Sequence, residues 1–257
     1  MKTELNKRII TSIFLLSVLI IMLFHTFVLI ICLIIIGIIA WIEFYALISK
    51  IFTKNNYKEK TLRFFYKALS LLYLSLLVFS IISIKSNNSE LEIIVIYSIF
   101  ISIMTDIGGL IVGKTFKGKK LTKISPKKTI SGSLGSFLFS LLLIPFFIKF
   151  FTDYTVLEIS IITLVISSTS QVGDLFISFL KRLANVKDTS DLLPGHGGIL
   201  DRIDGIILSI PVGIFLFVVI NFNSMFFLSF FKILIRVFPM DPVEPKIAIF
   251  FFIKFIK

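Results

Sequence analysis

The chain has 257 residues, 56% of them hydrophobic and only 16% charged, with a mean hydropathy of +1.01. A soluble domain carries about 45–50% apolar and about 25% charged residues, so a soluble globular fold is excluded, and the dominance of Ile, Leu and Phe excludes disorder. The single cysteine, Cys32, excludes a disulfide scaffold and reads as a packed apolar side chain. A polytopic helical membrane protein remains. Against that background, 27 Lys+Arg outnumber 15 Asp+Glu for a formal net charge of +12.

A helix needs about 20 apolar residues to cross a bilayer. From Ile9 to Ile42 no charged residue occurs. Extended to about Leu47, this stretch is too long for one span and fits two short helices folded at His25–Thr26. No small-residue cleavage site follows the first apolar core, so Met1–Ile48 reads as a helical hairpin. Further apolar runs are Ala68–Ile84, Leu91–Val112, Gly132–Ile148, Thr155–Ser170, Gly205–Ile220 and Met225–Phe238. The expected fold is all-α, a membrane bundle of about eight transmembrane helices. A ninth stretch, Ile247–Ile256, is too short to span. Positive charge marks the cytoplasmic side. Placing Lys2, Lys7 and Arg8 inside makes Lys50–Lys67, Gly113–Thr129, Gln171–Asp204 and the C-terminal tail cytoplasmic. Only Lys85 and Lys149 then fall outside, which predicts both termini in the cytoplasm.

Acidic residues are the rarer and more informative class. A carboxylate at membrane depth costs about 2.5–3.5 kcal/mol on insertion scales, so its presence needs a cause. Glu43, near the end of the second span, reads as a snorkelled or interfacially paired residue. Asp106 interrupts the fourth span beside Gly108, Gly109 and Gly113. That pattern fits a close helix contact with one paired Asp and a ligand site equally well. The following loop, Gly113–Thr129, holds seven lysines and no acid. It serves as an orientation signal or an anionic-lipid contact, or, through Ser125-Pro126-Lys127-Lys128-Thr129 and the next helix N-terminus, as a phosphate site.

The stretch Ser170–Gly205 carries most of the chemistry. It holds Asp174, Asp188, Asp191, Asp201 and Asp204, the basic residues Lys181, Arg182, Lys187 and Arg202, and His196 within a glycine-rich run. Asp201 and Asp204, three apart, share a helix face with Cβ atoms about 5–6 Å apart. Carboxylates without a Cys/His cluster suit a hard cation such as Mg²⁺, whose octahedron fills with water and substrate phosphates. His196 either contacts phosphate or merely sits in the tight turn ahead of the seventh span. No Cys/His pair, Gly-x-Ser-x-Gly elbow or Walker loop occurs, so covalent nucleophilic catalysis has no support.

The pattern Ser178-x-x-Lys181-Arg182, Lys187-Asp188, Pro194-x-His196-Gly197-Gly198-x-x-Asp201-Arg202-x-Asp204 resembles the motif of the phosphatidate cytidylyltransferases, the CDP-diacylglycerol synthases. Gln171-x-Gly173-Asp174-Leu175, the Ser125–Thr129 turn and Trp41-x-Glu43-Phe44-Tyr45 are similar to that family as well. The resemblance implies transfer of CMP from CTP to phosphatidate, releasing pyrophosphate, by in-line attack of the lipid phosphate on the α-phosphorus. It implies Mg²⁺, with a monovalent cation such as K⁺ in some members. It implies Asp174, Asp201, Lys181 and Arg182 as catalytic residues and Asp174, Asp201 and Asp204 as metal ligands. Substrate contacts would come from Asp106, Ser125, Lys127, Lys128, Ser178, Lys187, Asp188, His196, Gly197, Gly198 and Arg202.

On this reading residues 1–67 form the N-terminal hairpin with its basic loop, and residues 68–257 a catalytic transmembrane domain. The expected place is a bacterial inner membrane, with the site on the cytoplasmic face. Partners are CTP, phosphatidate and membrane lipid, with no nucleic acid and room for a homodimer. The pattern departs from the family at Ser131, where an acid is usual, and beyond Pro239. A CDP-alcohol phosphatidyltransferase is the nearest rival, but Asp204-Gly205 lacks the Ala-Arg continuation of that family. A transporter of an anionic solute is the other alternative. It would place polar groups at mid-span rather than at the helix ends.

Overall fold

A computed structural model of the chain describes residues 17–237 except 19, 23, 55, 88, 123, 153 and 194–196. Two compact units divide it, Met1–Phe215 and Leu216–Lys257, and the site lies wholly within the first. The described residues form seven α-helices and no sheet: α1 (Thr26–Ile51), α2 (Tyr57–Asn87), α3 (Ser89–Phe116), α4 (Ile130–Leu141), α5 (Ile144–Phe147), α6 (Val156–Leu183) and α7 (Leu200–Val237). Six segments among them are long and apolar enough to cross a membrane: Thr26–Ile51, Tyr57–Ser86, Glu90–Phe116, Ile130–Phe150, Val156–Leu183 and Leu200–Ile220. The chain is a polytopic helical membrane protein. Large apolar side chains such as Phe27, Ile38, Phe79, Leu138 and Leu157 stand exposed on the helix faces, as lipid-facing residues do.

The break expected at His25–Thr26 is present. His25 takes an extended backbone (φ −119°, ψ 101°) and caps α1. Most of the apolar run before it lies outside the described residues. The expected span at Gly132–Ile148 is divided into α4 and α5 by Leu142–Leu143. Pro145 accounts for this, because its ring clashes with the carbonyl four residues back and it has no N–H to give.

Two expected boundaries move. The sixth span does not stop at Ser170, since α6 continues to Leu183. Its apolar face keeps the helical spacing through Ile166, Gly173, Ile177 and Leu180, all buried. The turn expected between the last two runs is also helical, within α7. Asn221-Phe-Asn-Ser224 contains neither Gly nor Pro, and Asn and Ser cost a helix only tenths of a kcal/mol, about 0.7 at most. The expected count of about eight separate spans is therefore not reproduced among the described residues. Pro211 sits inside α7 and leaves the Ile207 carbonyl without its helical donor. The Tyr73 hydroxyl of α2 donates to that carbonyl at 2.7 Å, so the gap is closed by a neighbouring helix.

Small and hydroxylated residues let the helices approach. Gly108, Gly109 and Gly113 of α3 face Gly132, Gly135 and Ser136 at α4, and a Cβ on Gly132 would stand 2.8 Å from the Gly109 carbonyl. Of the two readings of the Asp106 segment, the close helix contact is therefore realised by its glycines. A seam of buried hydroxyls then ties α3 to its other neighbours. Tyr97 meets Thr163 at 2.6 Å, Ser102 meets Ser209 at 2.8 Å, and Thr105 meets Ser167 at 2.8 Å. The Ser136 hydroxyl donates to the Thr105 carbonyl at 2.7 Å. In lipid, where apolar burial does not drive helices together, such contacts set their register.

A Cβ on Gly135 would stand 2.9 Å from the Gly108 carbonyl and overlap the Val112 side chain. The substitution Gly135→Ala is expected to destabilise the α3–α4 contact by about 1–3 kcal/mol. Thermal unfolding of the purified chain in detergent checks this.

Candidate active site at one end of the bundle

The antiparallel course of the helices brings the C-terminal ends of α1, α3 and α6 beside the N-terminal ends of α2, α4 and α7. These helix ends and the connections between them together hold most of the described lysines and arginines. The Trp41-x-Glu43-x-Tyr45 run shows how α1 serves this end. The Trp41 indole donates to the Lys67 carbonyl at 3.3 Å, and the Lys67 ammonium lies 3.3 Å over the Tyr45 ring. Both contacts tie α1 to α2. Glu43 points the other way, toward α7.

The loop between α3 and α4 folds back on itself. Leu121 N–H donates to the Lys128 carbonyl at 2.8 Å, and Ile130 N–H donates to the Lys119 carbonyl at 3.0 Å. Within it, Lys128 N–H closes a turn on the Ser125 carbonyl at 3.1 Å, with Pro126 at the second position, where its fixed φ suits a turn. Lys117 and Gly118 enter the loop with positive φ of 52° and 110°. The Thr129 hydroxyl then caps α4 by accepting the Gly132 N–H at 3.1 Å.

This turn, α3, α4 and α6 enclose a pocket of about 490 Å³, lined by Asp106, Lys114, Ser125, Lys127, Lys128 and Asp174 among others. Lys128 forms an ion pair with Asp174. The Ser178 hydroxyl donates to the other Asp174 oxygen at 3.3 Å. Asp106, exposed to the pocket, faces Asp174, Lys128 and Arg202 at electrostatic range. Because α6 extends past Ser170, Asp174, Ser178 and Lys181 stand at i, i+4 and i+7 on one helical face. The Gln171 side chain, also at this pocket, accepts the Ser133 hydroxyl at 2.6 Å, while its amide nitrogen is buried without a partner.

A second cluster lies beside the first, with Asp204 at electrostatic range of both Asp174 and Lys181. The Lys181 ammonium pairs with Asp201 Oδ1 at 2.5 Å. Asp201 Oδ2 accepts the Thr189 N–H at 2.8 Å, the Thr189 hydroxyl at 2.9 Å and the Gly198 N–H at 3.1 Å. Glu43, only 4% exposed, accepts from Thr189, Ser190, Ile199 and Leu200. Gly197 carries a φ of +79°, and Asp188 packs beside it. Asp204 is buried where α6 and α7 cross at backbone contact, and its carboxylate accepts the Gly205 N–H at 2.8 Å. It also lines an apolar groove of about 340 Å³ with Phe44, Tyr66 and Tyr73.

A model of the cytidylyltransferase family matches residues 5–220. The chain belongs to the cytidylyltransferase family. The phosphatidate cytidylyltransferase of Rickettsia prowazekii is 43% identical over 147 residues, covering 54% of this chain and 62% of that relative. The enzyme of the same name from Aquifex aeolicus is 35% identical over 159 residues, 62% of this chain and 56% of that relative. That of Staphylococcus aureus is 40% identical over 121 residues, 46% of each. The chain thus spans less than two thirds of the length of these relatives.

Several residues expected from the family motif do meet at this pocket: Asp106, Ser125, Lys127, Lys128 and Asp174 line it, and Ser178 bonds to Asp174. Others lie elsewhere. Arg182 is exposed and donates to the Val186 carbonyl at 3.4 Å. Lys187 and Asp188 are exposed on the connection to α7. His196 falls outside the described residues. The trio Asp174, Asp201 and Asp204 does not converge as a ligand set, and no three Asp, Glu, His or Cys residues do so among the described residues. The physical reason is that Asp201, at the start of α7, spends both oxygens on protein donors, Lys181 of α6 and the Thr189 and Gly198 groups of the connection. Two groups escaped the motif reading, Thr189 and the buried role of Glu43. Two signals hint at the latter, the isolation of one carboxylate within an apolar helix and its place in the Trp41-x-Glu43-Phe44-Tyr45 run.

The side chains of Lys181 and Asp201 are 12% and 5% exposed. Removing one partner of such a buried pair costs about 3–5 kcal/mol, because the other charge is left uncompensated. Lys181→Met should lower the detergent unfolding temperature clearly, and the exposed control Lys187→Met should not.

Proposed function

We propose that the chain transfers CMP from CTP to phosphatidate, giving CDP-diacylglycerol and pyrophosphate. The observation that carries this reading is a pocket in which Asp106 and Asp174 meet Ser125, Lys127 and Lys128, in a chain of the cytidylyltransferase family. Lysines and a hydroxyl around two carboxylates suit a triphosphate and its cation. The pocket lies beneath the lysine-rich α3–α4 loop, from which Ser125, Lys127 and Lys128 line it, and that placement suits a reaction on a lipid headgroup.

The nucleophile belongs to the substrate. A phosphate oxygen of phosphatidate attacks the α-phosphorus of CTP, a new P–O bond forms, and the bond to the β-phosphate breaks with departure of pyrophosphate. The protein's part is positioning and charge stabilisation. Lys127, Lys128 and Lys114 hold triphosphate oxygens, and Ser125 donates a hydrogen bond. Lys128 leaves Asp174 for the phosphate when the nucleotide arrives. Lys181 neutralises charge at the α6 end of the site.

Oxygen donors without Cys or His fit Mg²⁺, which needs only one or two carboxylates when phosphates complete its shell. Asp174 is the first candidate ligand, with Asp106 facing it and Asp204 within electrostatic reach of both. Asp201 would join only by giving up a protein donor. Bound there, Mg²⁺ would stabilise the charge that develops on the triphosphate. The excess of lysine and arginine at this end supports a cytoplasmic active site in a bacterial inner membrane with both termini inside.

Purified chain in detergent with labelled CTP, phosphatidate and Mg²⁺ should place label in the lipid phase. No incorporation, with solute uptake into vesicles instead, would point to a transporter. Asp174→Asn should abolish incorporation while expression holds, and near-normal activity would remove Asp174 from the site. Lys128→Gln should raise KM for CTP about tenfold or more, the worth of one hydrogen bond to a charged group.

A further inference from the structure

Glu43 lies outside the pocket that lines the reaction, yet its carboxylate is among the most fully bonded in the described chain. Oε1 accepts the Ser190 hydroxyl at 2.6 Å and the Ile199 N–H at 3.0 Å. Oε2 accepts the Thr189 hydroxyl and the Leu200 N–H, both at 2.8 Å. Burying an ionised carboxylate is costly unless its lone pairs are satisfied, and here four donors from one segment satisfy it. Two of them are backbone amides at the start of α7, which have no helical acceptor of their own.

The Thr189 hydroxyl links this carboxylate to the site. It stands 2.8 Å from Glu43 Oε2 and 2.9 Å from Asp201 Oδ2. A hydroxyl has one proton and can donate to one of two ionised carboxylates at a time. Glu43 keeps three other donors whichever way Thr189 turns, so it stays anchored. Asp201 gains or loses that hydrogen bond as the Thr189 hydroxyl turns. Asp201 in turn pairs with Lys181. The space is closed on the far side as well, since a Cβ on Gly198 would overlap both Thr189 Oγ1 and Glu43 Oε2.

We propose that Glu43 is a positioning residue of the site, whose buried carboxylate ties Thr189 and Ser190 to Ile199 and Leu200 and, through the Thr189 hydroxyl, sets the place of Asp201 and Lys181. The kinetic part rests on the cytidylyl-transfer reading above. Glu43→Gln keeps the shape but, whichever way the amide turns, sets its N–H₂ against one backbone N–H, that of Ile199 or Leu200, which can only donate, so a buried donor faces a donor.

The test uses the full chain in detergent. In Glu43→Gln, KM for CTP should rise about 10–100-fold, the usual effect of losing a supporting contact behind a site. The Ile199 and Leu200 amides should exchange hydrogen faster than in the unaltered chain. Glu59→Gln is the control: Glu59 accepts the Lys54 N–H at 2.9 Å, away from this cluster, and KM should stay unchanged. A fall in kcat at unchanged KM that tracks the folded fraction would make Glu43 a stabilising group only and overturn the proposal. Thr189→Val, which removes just the shared hydroxyl, should give a smaller KM rise. It decides the matter if Glu43→Gln does not fold, and unchanged KM there also overturns the proposal. If the unaltered chain forms no lipid product, the functional reading fails by itself. Unchanged exchange at Ile199 and Leu200 would then still refute the clamp.

Discussion

A single carboxylate, that of Glu43, closes the reactive end of this bundle. A helix that begins at a membrane surface exposes backbone N–H groups that need acceptors, and α7 begins beneath a connection that is itself polar. Glu43 reaches across from α1 and accepts two of those amides together with two hydroxyls of the same connection. Asp201 does the same from within α7, accepting the Gly198 and Thr189 N–H groups. Negative charge at a helix N-terminus is also favoured by the helix dipole. Two carboxylates thus solve one local problem, and their solution determines where Lys181 can stand.

The remainder of the site depends on how closely the helices approach. Gly108, Gly109 and Gly113 against Gly132 and Gly135 allow α3 and α4 to meet at their backbones. Gly173 and Gly205 do so for α6 and α7. The hydroxyl pairs Thr105–Ser167 and Ser102–Ser209 hold the register between them. Asp106, Asp174 and Asp204 come from three different helices. A shift of one turn, about 5.4 Å, along any of them would take its carboxylate out of reach of the others. The two sides of the α6–α7 crossing also differ in character. A polar pocket with lysines lies toward α3 and α4, and an apolar groove lies toward α1 and α2.

Much of this was legible beforehand, and for identifiable reasons. The His25 break, the α3 glycines and the Pro126 turn each express a local rule about backbone freedom, so each could be read from a few neighbouring residues. The family motif brought Asp174, Lys128 and Ser125 to notice, and they meet in one pocket. The end of α6 was misplaced because apolar density falls off at Ser170, whereas the helix follows the periodicity of Ile166, Gly173, Ile177 and Leu180 on its inner face. The place of Glu43 near the end of its span reads as interfacial, because its actual donors leave no mark near it in the sequence. Its donors lie at Thr189 and beyond, 146 to 157 positions away.

Composition and charge distribution were enough to establish an α-helical membrane protein with a strongly basic end, because lipid tolerates only backbones that satisfy themselves and because lysine avoids its interior. Spacing along the chain was enough to nominate the acids and lysines. Which donor each carboxylate meets was left to packing. Asp174 and Asp201 each meet one lysine and one hydroxyl, yet Asp174 lines a pocket while Asp201 also accepts two backbone amides. That difference arises from where α6 and α7 cross, and a hydrogen bond between distant helices leaves no periodic trace in either of them.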